Sequence, residues 1–388
     1  MIPYGRQDID ASDLAAVEEV LRSDWLTQGP AVPRFEAALR ERTQAGHAVA
    51  VTSATAALHL TCLALDVGAG DVVWTVPNTF VASANCALYC GAEVDFVDIE
   101  ADTHNMSAAA LAAKLADART RGRLPKLVIP VHFAGHPCDM AAISRLCAEH
   151  GVAVLEDASH AIGASYAGMP VGSGRWAAAT VFSFHPVKIV TTGEGGAVLS
   201  NDPELAARVE LLRSHGITRD PARMEHPDPE AAWYYEQVEL GFNYRMTDIQ
   251  AGLGTSQLRR LDQFIARRRS IAALYAELLA GRDGLRLPVE RADVQSSWHL
   301  YTITVEGGAE RRRRLFQQLR ADGIGVQVHY MPVHCQPYYR RQGFGPGQFP
   351  EAEKHGDSCL SLPIFPAMTD SDVAMVADIV RNALARLD

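Results

Sequence analysis

The feature that most constrains the fold is the alternation of short apolar strands with amphipathic helices over the first 250 residues. Apolar runs expected to form strands, such as HAVAVTS, DVVWTVPNTF, KLVIPVHF and VAVLED, alternate with segments of helical periodicity, for example ATAALHLTCLAL. This alternation is typical of an α/β fold built on a mostly parallel sheet. We therefore expect a large α/β domain over residues 1–255, which begins with an N-terminal arm and a short helix.

The pattern changes near residue 250. One long helix is expected from about residue 248 to residue 279, where it would connect two domains. The segments that follow, among them HLYTITVEG and DVAMVADIVRNALARL, suit a smaller α+β domain over residues 256–388.

The charge balance argues against two classes of partner. The chain of 388 residues has 46 acidic and 36 basic side chains, a net charge of −10. Proteins that bind nucleic acid or a membrane surface usually carry a basic patch, so we expect neither partner. Because no apolar leader and no run of 18 apolar residues is visible, we expect a cytoplasmic protein without a membrane span.

A metal site is also not expected. The segment HFAGHPCD brings His132, His136, Cys138 and Asp139 close together in sequence, as a metal site would. However, Gly135 and Pro137 break any helix that would align the two imidazoles, and no second ligand cluster appears. We therefore expect no bound metal.

Lysine usage singles out one residue. Only four of the 36 basic residues are lysines, at positions 114, 126, 188 and 354. Lys188 lies in the apolar, glycine-rich segment TVFSFHPVKIVTTGEGGAVLS. A lysine amine can lose its proton and form an imine, whereas a guanidinium stays protonated, so this setting favours a chemical role. The alternative is a solvated lysine at the edge of a strand.

An acid at the end of a strand is a second candidate. Asp157 closes VAVLED, and ligands of open α/β sheets bind outside the carboxyl ends of strands. If the ligand were pyridoxal phosphate (PLP), this carboxylate could keep its ring nitrogen protonated, and His160 could contact the same ring. The structural alternatives are a cap of the segment ASHAIG for Asp157 and an internally bonded imidazole for His160.

Further residues are candidates for binding a phosphate group and for packing against a flat ring. The segment Thr52–Thr55 lies where a strand turns into a helix and offers hydroxyl and N–H groups. Ser183 stands five residues before Lys188 and offers another donor, and Phe80 in PNTF could lie against the ring. N-caps, turns and core packing are the alternatives for these three features.

Taken together, the ordered motifs resemble one family, the DegT/DnrJ/EryC1/StrS sugar aminotransferases. They span nearly the whole chain: LTQGP, SATAALHL, PNTF, EDASHAIGA, FSFHPVKIVTTGEGGAV, SHGI, LGFNYRMTDIQAGLG and GIGVQVHYMPVH. The resemblance implies an aspartate-aminotransferase-like fold (fold type I of PLP enzymes), with a large domain and a smaller C-terminal domain. It also implies PLP as cofactor.

The resemblance implies roles for individual residues. Lys188 would form the imine with the cofactor and move protons, and Asp157 would bind the pyridine nitrogen. Phe80 and His160 would lie beside the cofactor ring. The phosphate would be bound by Thr55, Ser183 and the amide of Ala56. Asn243 would reach the cofactor phosphate of a neighbouring subunit, which implies a homodimer with shared active sites.

The substrate is implied in the same way. The sugar nucleotide would be framed by residues of three segments: Arg6; Leu26, Thr27, Gln28 and Gly29; Val328, His329, Tyr330 and Met331. Motifs such as DASHAIGA and GVQVHYMP resemble most closely the pseudaminic-acid branch of the family. Its transaminases aminate C4 of a UDP-linked 4-keto-6-deoxy-N-acetylhexosamine to give UDP-4-amino-4,6-dideoxy-N-acetyl-altrosamine, with L-glutamate as amino donor. The alternatives are a sugar 3-aminotransferase and a non-catalytic PLP-binding regulator.

Overall fold

A computed structural model describes residues 1–228 and 231–387 of the protein. The helices of this part are α1 (Ala11–Leu21), α2 (Ala31–Thr43), α3 (Ala54–Ala64), α4 (Ala82–Tyr89), α5 (Ala108–Thr120), α6 (Met140–Ala148), α7 (Pro203–Arg213), α8 (Asp248–Arg259), α9 (Leu261–Leu279), α10 (Gly308–Ala321), α11 (Pro337–Arg340), α12 (Pro350–Ser358) and α13 (Asp370–Ala385). Single 3₁₀ turns lie at Phe133–Gly135, Pro221–Arg223 and Val333–Cys335.

The strands are β1 (His47–Val51), β2 (Val72–Thr75), β3 (Glu93–Phe96), β4 (Leu127–Val128), β5 (Ala153–Asp157), β6 (Ser165–Tyr166), β7 (Met169–Pro170), β8 (Ala179–Ser183), β9 (Gly196–Ser200), β10 (Ile217–Thr218), β11 (Glu236–Gln237), β12 (Leu285–Arg286), β13 (Val294–Gln295), β14 (Tyr301–Val305) and β15 (Cys359–Leu362).

The central sheet has seven strands in the order β1-β9-β8-β5-β4-β2-β3. Only β9 runs antiparallel to its neighbours, and the pairs from β8 to β3 are parallel. Strands β2, β8 and β9 are buried along their whole length, as expected for a sheet covered by helices on both faces. The predicted α/β architecture with a mostly parallel sheet is confirmed.

Polar side chains cap the starts of α1, α3 and α8. The side chain of Asp10 accepts hydrogen bonds from the first turn of α1, and Ser53 does the same for α3. Thr247 and Gln250 form a reciprocal capping box at the start of α8. The positions at which these three helices begin are therefore encoded locally.

One predicted strand is much shorter than expected. In KLVIPVHF only Leu127–Val128 continues the ladder, and Phe133–Gly135 forms a 3₁₀ turn. Pro130 has no N–H to donate, so regular pairing stops there. The chain still follows β5, because the amide of Asp157 donates to the Pro130 carbonyl at 2.9 Å.

The predicted long connecting helix is wrong in one respect, because it is two helices that meet at Arg260. The N–H of Arg260 bonds back three residues to Gln257, which closes α8 with a tighter turn. The guanidinium binds the carboxylates of Asp8 at 2.7 Å and Asp10 at 3.1 Å on the N-terminal arm. These contacts with a distant segment are absent from any local sequence pattern.

The C-terminal part contains a three-stranded antiparallel sheet in the order β12-β14-β15. This sheet packs with α10, α13 and the second half of α9 around one apolar core. Residues of the first half of α9, such as Phe264 and Ile265, pack instead against the core of the large sheet. The expected division into residues 1–255 and 256–388 stays a prediction. No helix of the described residues is long and apolar enough to span a bilayer.

Candidate active site

A cavity of about 310 Å³ opens at the carboxyl end of the central sheet. Because β5, β8 and β1 run in the same direction, the residues that follow them meet at one edge. The walls of the cavity come from both halves of the chain and from the N-terminal arm: Tyr4, Ser53, Ala54, Thr55, Leu58, Thr79, Phe80, Ala82, Val131, Asp157, Ser159, His160, Ser183, His185, Val187, Lys188, Glu194, His299, His329 and Tyr330.

Lys188 follows β8 and is half-buried in the cavity wall. Burial lowers the pKa of its amine to about 8, although the negative charge of Asp157 acts in the opposite direction. The amine forms no hydrogen bond or ion pair with any of the described residues. An amine with a pKa near neutrality can act as a nucleophile and as a proton carrier.

Asp157 is the last residue of β5 and is 5% exposed. Its Oδ1 accepts from the amide of Ser159 at 3.1 Å, and its Oδ2 accepts from the hydroxyl of Ser83 at 2.6 Å. Asp157 therefore caps the following turn and also lines the cavity, so the two interpretations that the sequence leaves open are compatible.

Three buried imidazoles line the same cavity as the amine: His160, His299 and His329. Burial, together with the charge of Lys188, lowers the pKa of His160 and His299 well below the usual value and that of His329 to about 3. The rings are therefore neutral near pH 7. Nε2 of His160 lies 3.3 Å from the hydroxyl of Tyr330, whereas its buried Nδ1 has no hydrogen-bond partner in the described part of the chain.

The start of α3 forms a cradle suited to an anion. Ser53 caps the helix by accepting from the amide of Ala56 at 3.1 Å, and Thr55 lines the cavity beside it. Gly196 lets β9 pass close by, because a Cβ there would lie 2.5 Å from the backbone of Ser53 and Ala54. The free amides and positive dipole of a helix N-terminus favour a phosphate.

The structure therefore brings eight of the predicted site residues together in one cavity: Thr55, Phe80, Asp157, His160, Ser183, Lys188, His329 and Tyr330. The Ala56 amide lies in the same turn, where it donates to Ser53. Val328 adjoins the wall residue His329 and is half-buried.

The other predicted residues lie outside the walls of the cavity in the single chain. Arg6, Asn243 and Met331 are exposed, as are residues 26–28. The loop of residues 26–29 is nevertheless fixed, because the carboxylate of Asp248 accepts from the amides of Gly29 and Ala31, each at 3.0 Å.

Sequence reasoning missed several wall residues. Tyr4 reaches the cavity because the N-terminal arm bonds to the C-terminal part, where the amide of Ile364 donates to the Tyr4 carbonyl at 3.1 Å. His185 and Glu194 lie in the same motif as Lys188, which could have pointed to them. His299 stands in SSWHL, which carries no comparable signal.

The histidines of HFAGHPCD bond to protein groups. Nε2 of His132 lies 2.8 Å from a Glu156 oxygen, and its Nδ1 accepts from the amide of Cys138 at 3.1 Å. Nδ1 of His136 lies 2.8 Å from the carbonyl of Pro137. These contacts give the segment a structural role in closing the irregular turn after β4.

These groups fit PLP. The cavity holds an amine of lowered pKa that no described residue pairs, a carboxylate at a strand end, a helix N-terminus for a phosphate and aromatic groups beside them. A buried, unpartnered imidazole nitrogen on His160 gives a further polar atom that faces no protein group in the described residues.

Comparisons with known proteins agree with this assignment. Residues 7–381 match the model of the DegT/DnrJ/EryC1/StrS aminotransferase family. The spore coat polysaccharide biosynthesis protein SpsC of Bacillus subtilis is 39% identical over 391 residues, which cover 100% of this chain and 98% of that protein.

Solved structures give the same result. Spr1654 from Streptococcus pneumoniae in its PLP form superposes with a TM-score of 0.91 at 30% identity, covering 100% of this chain and 99% of that one. PseC from Helicobacter pylori, an aminotransferase involved in the biosynthesis of pseudoaminic acid, gives a TM-score of 0.90 at 32% identity, covering 99% of both chains.

Proposed function

Since the chain belongs to the DegT/DnrJ/EryC1/StrS aminotransferase family, we propose that it transfers the amino group of L-glutamate to C4 of a nucleotide-linked 4-keto-6-deoxy sugar. It is a PLP-dependent sugar aminotransferase with the type I fold, as the sequence predicts. The proposed sugar is a UDP-linked 4-keto-6-deoxy-N-acetylhexosamine, and the proposed product belongs to pseudaminic-acid biosynthesis.

The observation that carries the proposal is the placement of Lys188 and Asp157 in one cavity at the end of the parallel strands. When bound, PLP supplies an aldehyde and an electron-withdrawing ring. Asp157 would bind its ring nitrogen, while Thr55, Ser183 and the first amides of α3 would hold its phosphate. Phe80 and His160 would lie beside the ring.

Lys188 would hold and move the protons of the reaction. Its amine has a pKa of about 8, so both the protonated and the neutral form are populated near neutral pH. A general acid and base works best when its pKa is close to the working pH. An arginine could not replace it, because a guanidinium does not lose its proton.

The sugar nucleotide would enter between the N-terminal arm and the segment of residues 328–331. Tyr4, His329 and Tyr330 line the cavity on this side, and Arg6 lies two residues from Tyr4 with an exposed guanidinium. An exposed cation at this position suits the anionic diphosphate of a nucleotide sugar.

The active unit would be a homodimer with shared sites. Asn243 is exposed and lies outside its own cavity, so it is free to reach the cofactor phosphate of a partner. Several apolar side chains are 49–61% exposed: Phe80 in the cavity wall, Met331 next to the wall residue Tyr330, and Trp25 and Leu26 in the loop before α2. Exposed apolar groups of this kind are typical of a surface that another subunit covers.

The test is a substrate panel. The purified holoenzyme is incubated with L-glutamate and nucleotide-linked 4-keto or 3-keto sugars, and the products are identified by mass spectrometry and NMR. We expect amination at C4 of the UDP-linked 6-deoxy-N-acetyl sugar, and none with Lys188→Ala. Amination at C3 alone, or of no sugar in the panel, would contradict the proposal.

A further inference from the structure

Two hydroxyl groups, one in the wall of the cavity and one behind it, connect the segment after β2 to Asp157. Oγ of Ser83 lies 2.6 Å from Oδ2 of Asp157 and 2.8 Å from Oγ1 of Thr79. Ser83 is 0% exposed and Thr79 is 3% exposed. Thr79 and Asp157 line the cavity, whereas Ser83 does not. Ser83 therefore contacts Asp157 from the side that faces away from the cavity.

The direction of these hydrogen bonds follows from donor counting. Ser83 has one hydroxyl proton and three possible oxygen partners, of which the Phe80 carbonyl at 3.4 Å is the most distant. An ionised carboxylate can only accept, and 2.6 Å is typical of a charge-assisted O–H···O⁻ bond. The Ser83 proton therefore goes to Asp157, and Thr79 donates its own proton to Ser83.

The result is a carboxylate held on both oxygens before any ligand binds. Oδ1 accepts from the amide of Ser159 after β5, and Oδ2 accepts from Ser83 at the start of α4. Two donors on two different elements fix the plane of the carboxylate. A charged group that is already held in position needs no reorganisation free energy when its partner binds.

We propose that Thr79 and Ser83 form a positioning relay that fixes the Asp157 carboxylate for the ring nitrogen of PLP. The relay rests on the proposed role of Asp157 at that nitrogen. Ser83 is a positioning residue, because it acts only through Asp157. Thr79 extends the relay to the wall of the cavity, beside Phe80.

The test is a double-mutant cycle of Ser83→Ala and Asp157→Asn. Two quantities are measured for each protein: kcat with saturating substrates, and the Kd of PLP for the apoprotein, from quenching of tryptophan fluorescence. We expect Ser83→Ala alone to lower kcat about tenfold and to raise the Kd of PLP about fivefold. In the Asp157→Asn background the same change should alter each quantity by less than about twofold.

Matched variants separate the relay from general packing. Thr79→Ser keeps the donor and should stay within about twofold of wild type, whereas Thr79→Val removes it at nearly constant shape and should lower kcat about threefold. Thr61→Val is the control, since Thr61 is also buried and, within the described residues, its hydroxyl bonds only to the Ala57 carbonyl of its own helix, at 2.8 Å. It should leave both quantities unchanged.

Two results would overturn the relay. The first is a Ser83→Ala protein whose kcat and Kd of PLP both stay within about twofold of wild type. The second is that Ser83→Ala changes kcat and the Kd of PLP equally in the wild-type and Asp157→Asn backgrounds, which would show a purely structural role. If Ser83→Ala does not fold, Thr79→Val replaces it in the same cycle. If Asp157→Asn itself has no effect, the proposed role of Asp157 fails, and that outcome is distinct from failure of the relay alone.

Discussion

The hydroxyl of Tyr330 lies 3.3 Å from Nε2 of His160, and the two rings are inclined by only 21°. His160 follows β5 of the central sheet, whereas Tyr330 lies in the segment between α10 and the 3₁₀ turn at Val333–Cys335. This contact therefore joins two segments far apart in the chain at the wall of the active site.

Tyr330→Phe removes this contact with little change of shape. Burial raises the pKa of Tyr330, so its hydroxyl is protonated and can donate to the neutral imidazole. Loss of one neutral hydrogen bond is expected to lower kcat about threefold to tenfold. Tyr338→Phe, at an exposed tyrosine nearby, is the control. A Tyr330→Phe enzyme with wild-type kcat would show that the contact has no role in turnover.

Lys188→Ala should abolish steady-state transamination and leave the fold intact. PLP should still bind, more weakly, since other residues contribute to its proposed contacts. Lys188→Arg should be equally inactive, because a guanidinium cannot lose its proton. Turnover is measured by formation of 2-oxoglutarate, with the exposed Lys126→Ala as control. Substantial turnover by either Lys188 variant would refute the assignment.

The lowered pKa of Lys188 predicts how PLP reconstitution depends on pH. Only the neutral amine reacts with an aldehyde, so the rate constant should rise about tenfold per pH unit below pH 7 and level off above about pH 8. Because the charge of Asp157 raises the pKa of Lys188, Asp157→Asn should move the plateau to lower pH. The measurement is the rate of absorbance change on mixing apoenzyme with PLP. A rate that still increases tenfold per unit above pH 9 would contradict the lowered pKa.

Asp157→Asn removes the anion proposed to bind the ring nitrogen. We expect kcat to fall by about a thousandfold, because an amide cannot keep that nitrogen protonated. Asp202→Asn is a suitable control, since Asp202 is an exposed N-cap and asparagine caps a helix equally well. If Asp157→Asn stays within tenfold of wild type, Asp157 has no part in the electronics of the cofactor.

Mixed dimers test the proposed shared site. In a two-fold dimer each site would borrow Asn243 from its partner. Mixing Lys188→Ala subunits with Asn243→Ala subunits would then give one site with both residues intact and one site with neither. We expect activity above the average of the two parents at limiting PLP, because Asn243→Ala should mainly weaken cofactor binding.

The control for this experiment is subunit exchange between Lys188→Ala and wild-type proteins carrying different tags, which verifies that mixed dimers form. If verified mixed dimers show only the average activity of the parents, Asn243 serves its own subunit and the sites are not shared.

The sequence by itself determined the architecture and the family. Strand and helix periods, and caps such as Asp10 and Ser53, depend on residues within a few positions of one another, so they can be read locally. Lys188 and Asp157 could also be singled out locally, from an unusual lysine context and from a strand end.

Only the tertiary structure decided which groups surround these two residues. Tyr4, Ser83 and His299 reach the site from three segments far apart in the chain, and no local pattern marks them. The same is true of the helix break at Arg260, whose guanidinium binds carboxylates about 250 residues away. Such contacts depend on how the two halves of the chain pack, because burial and hydrogen bonding between distant segments arise only when the chain is folded.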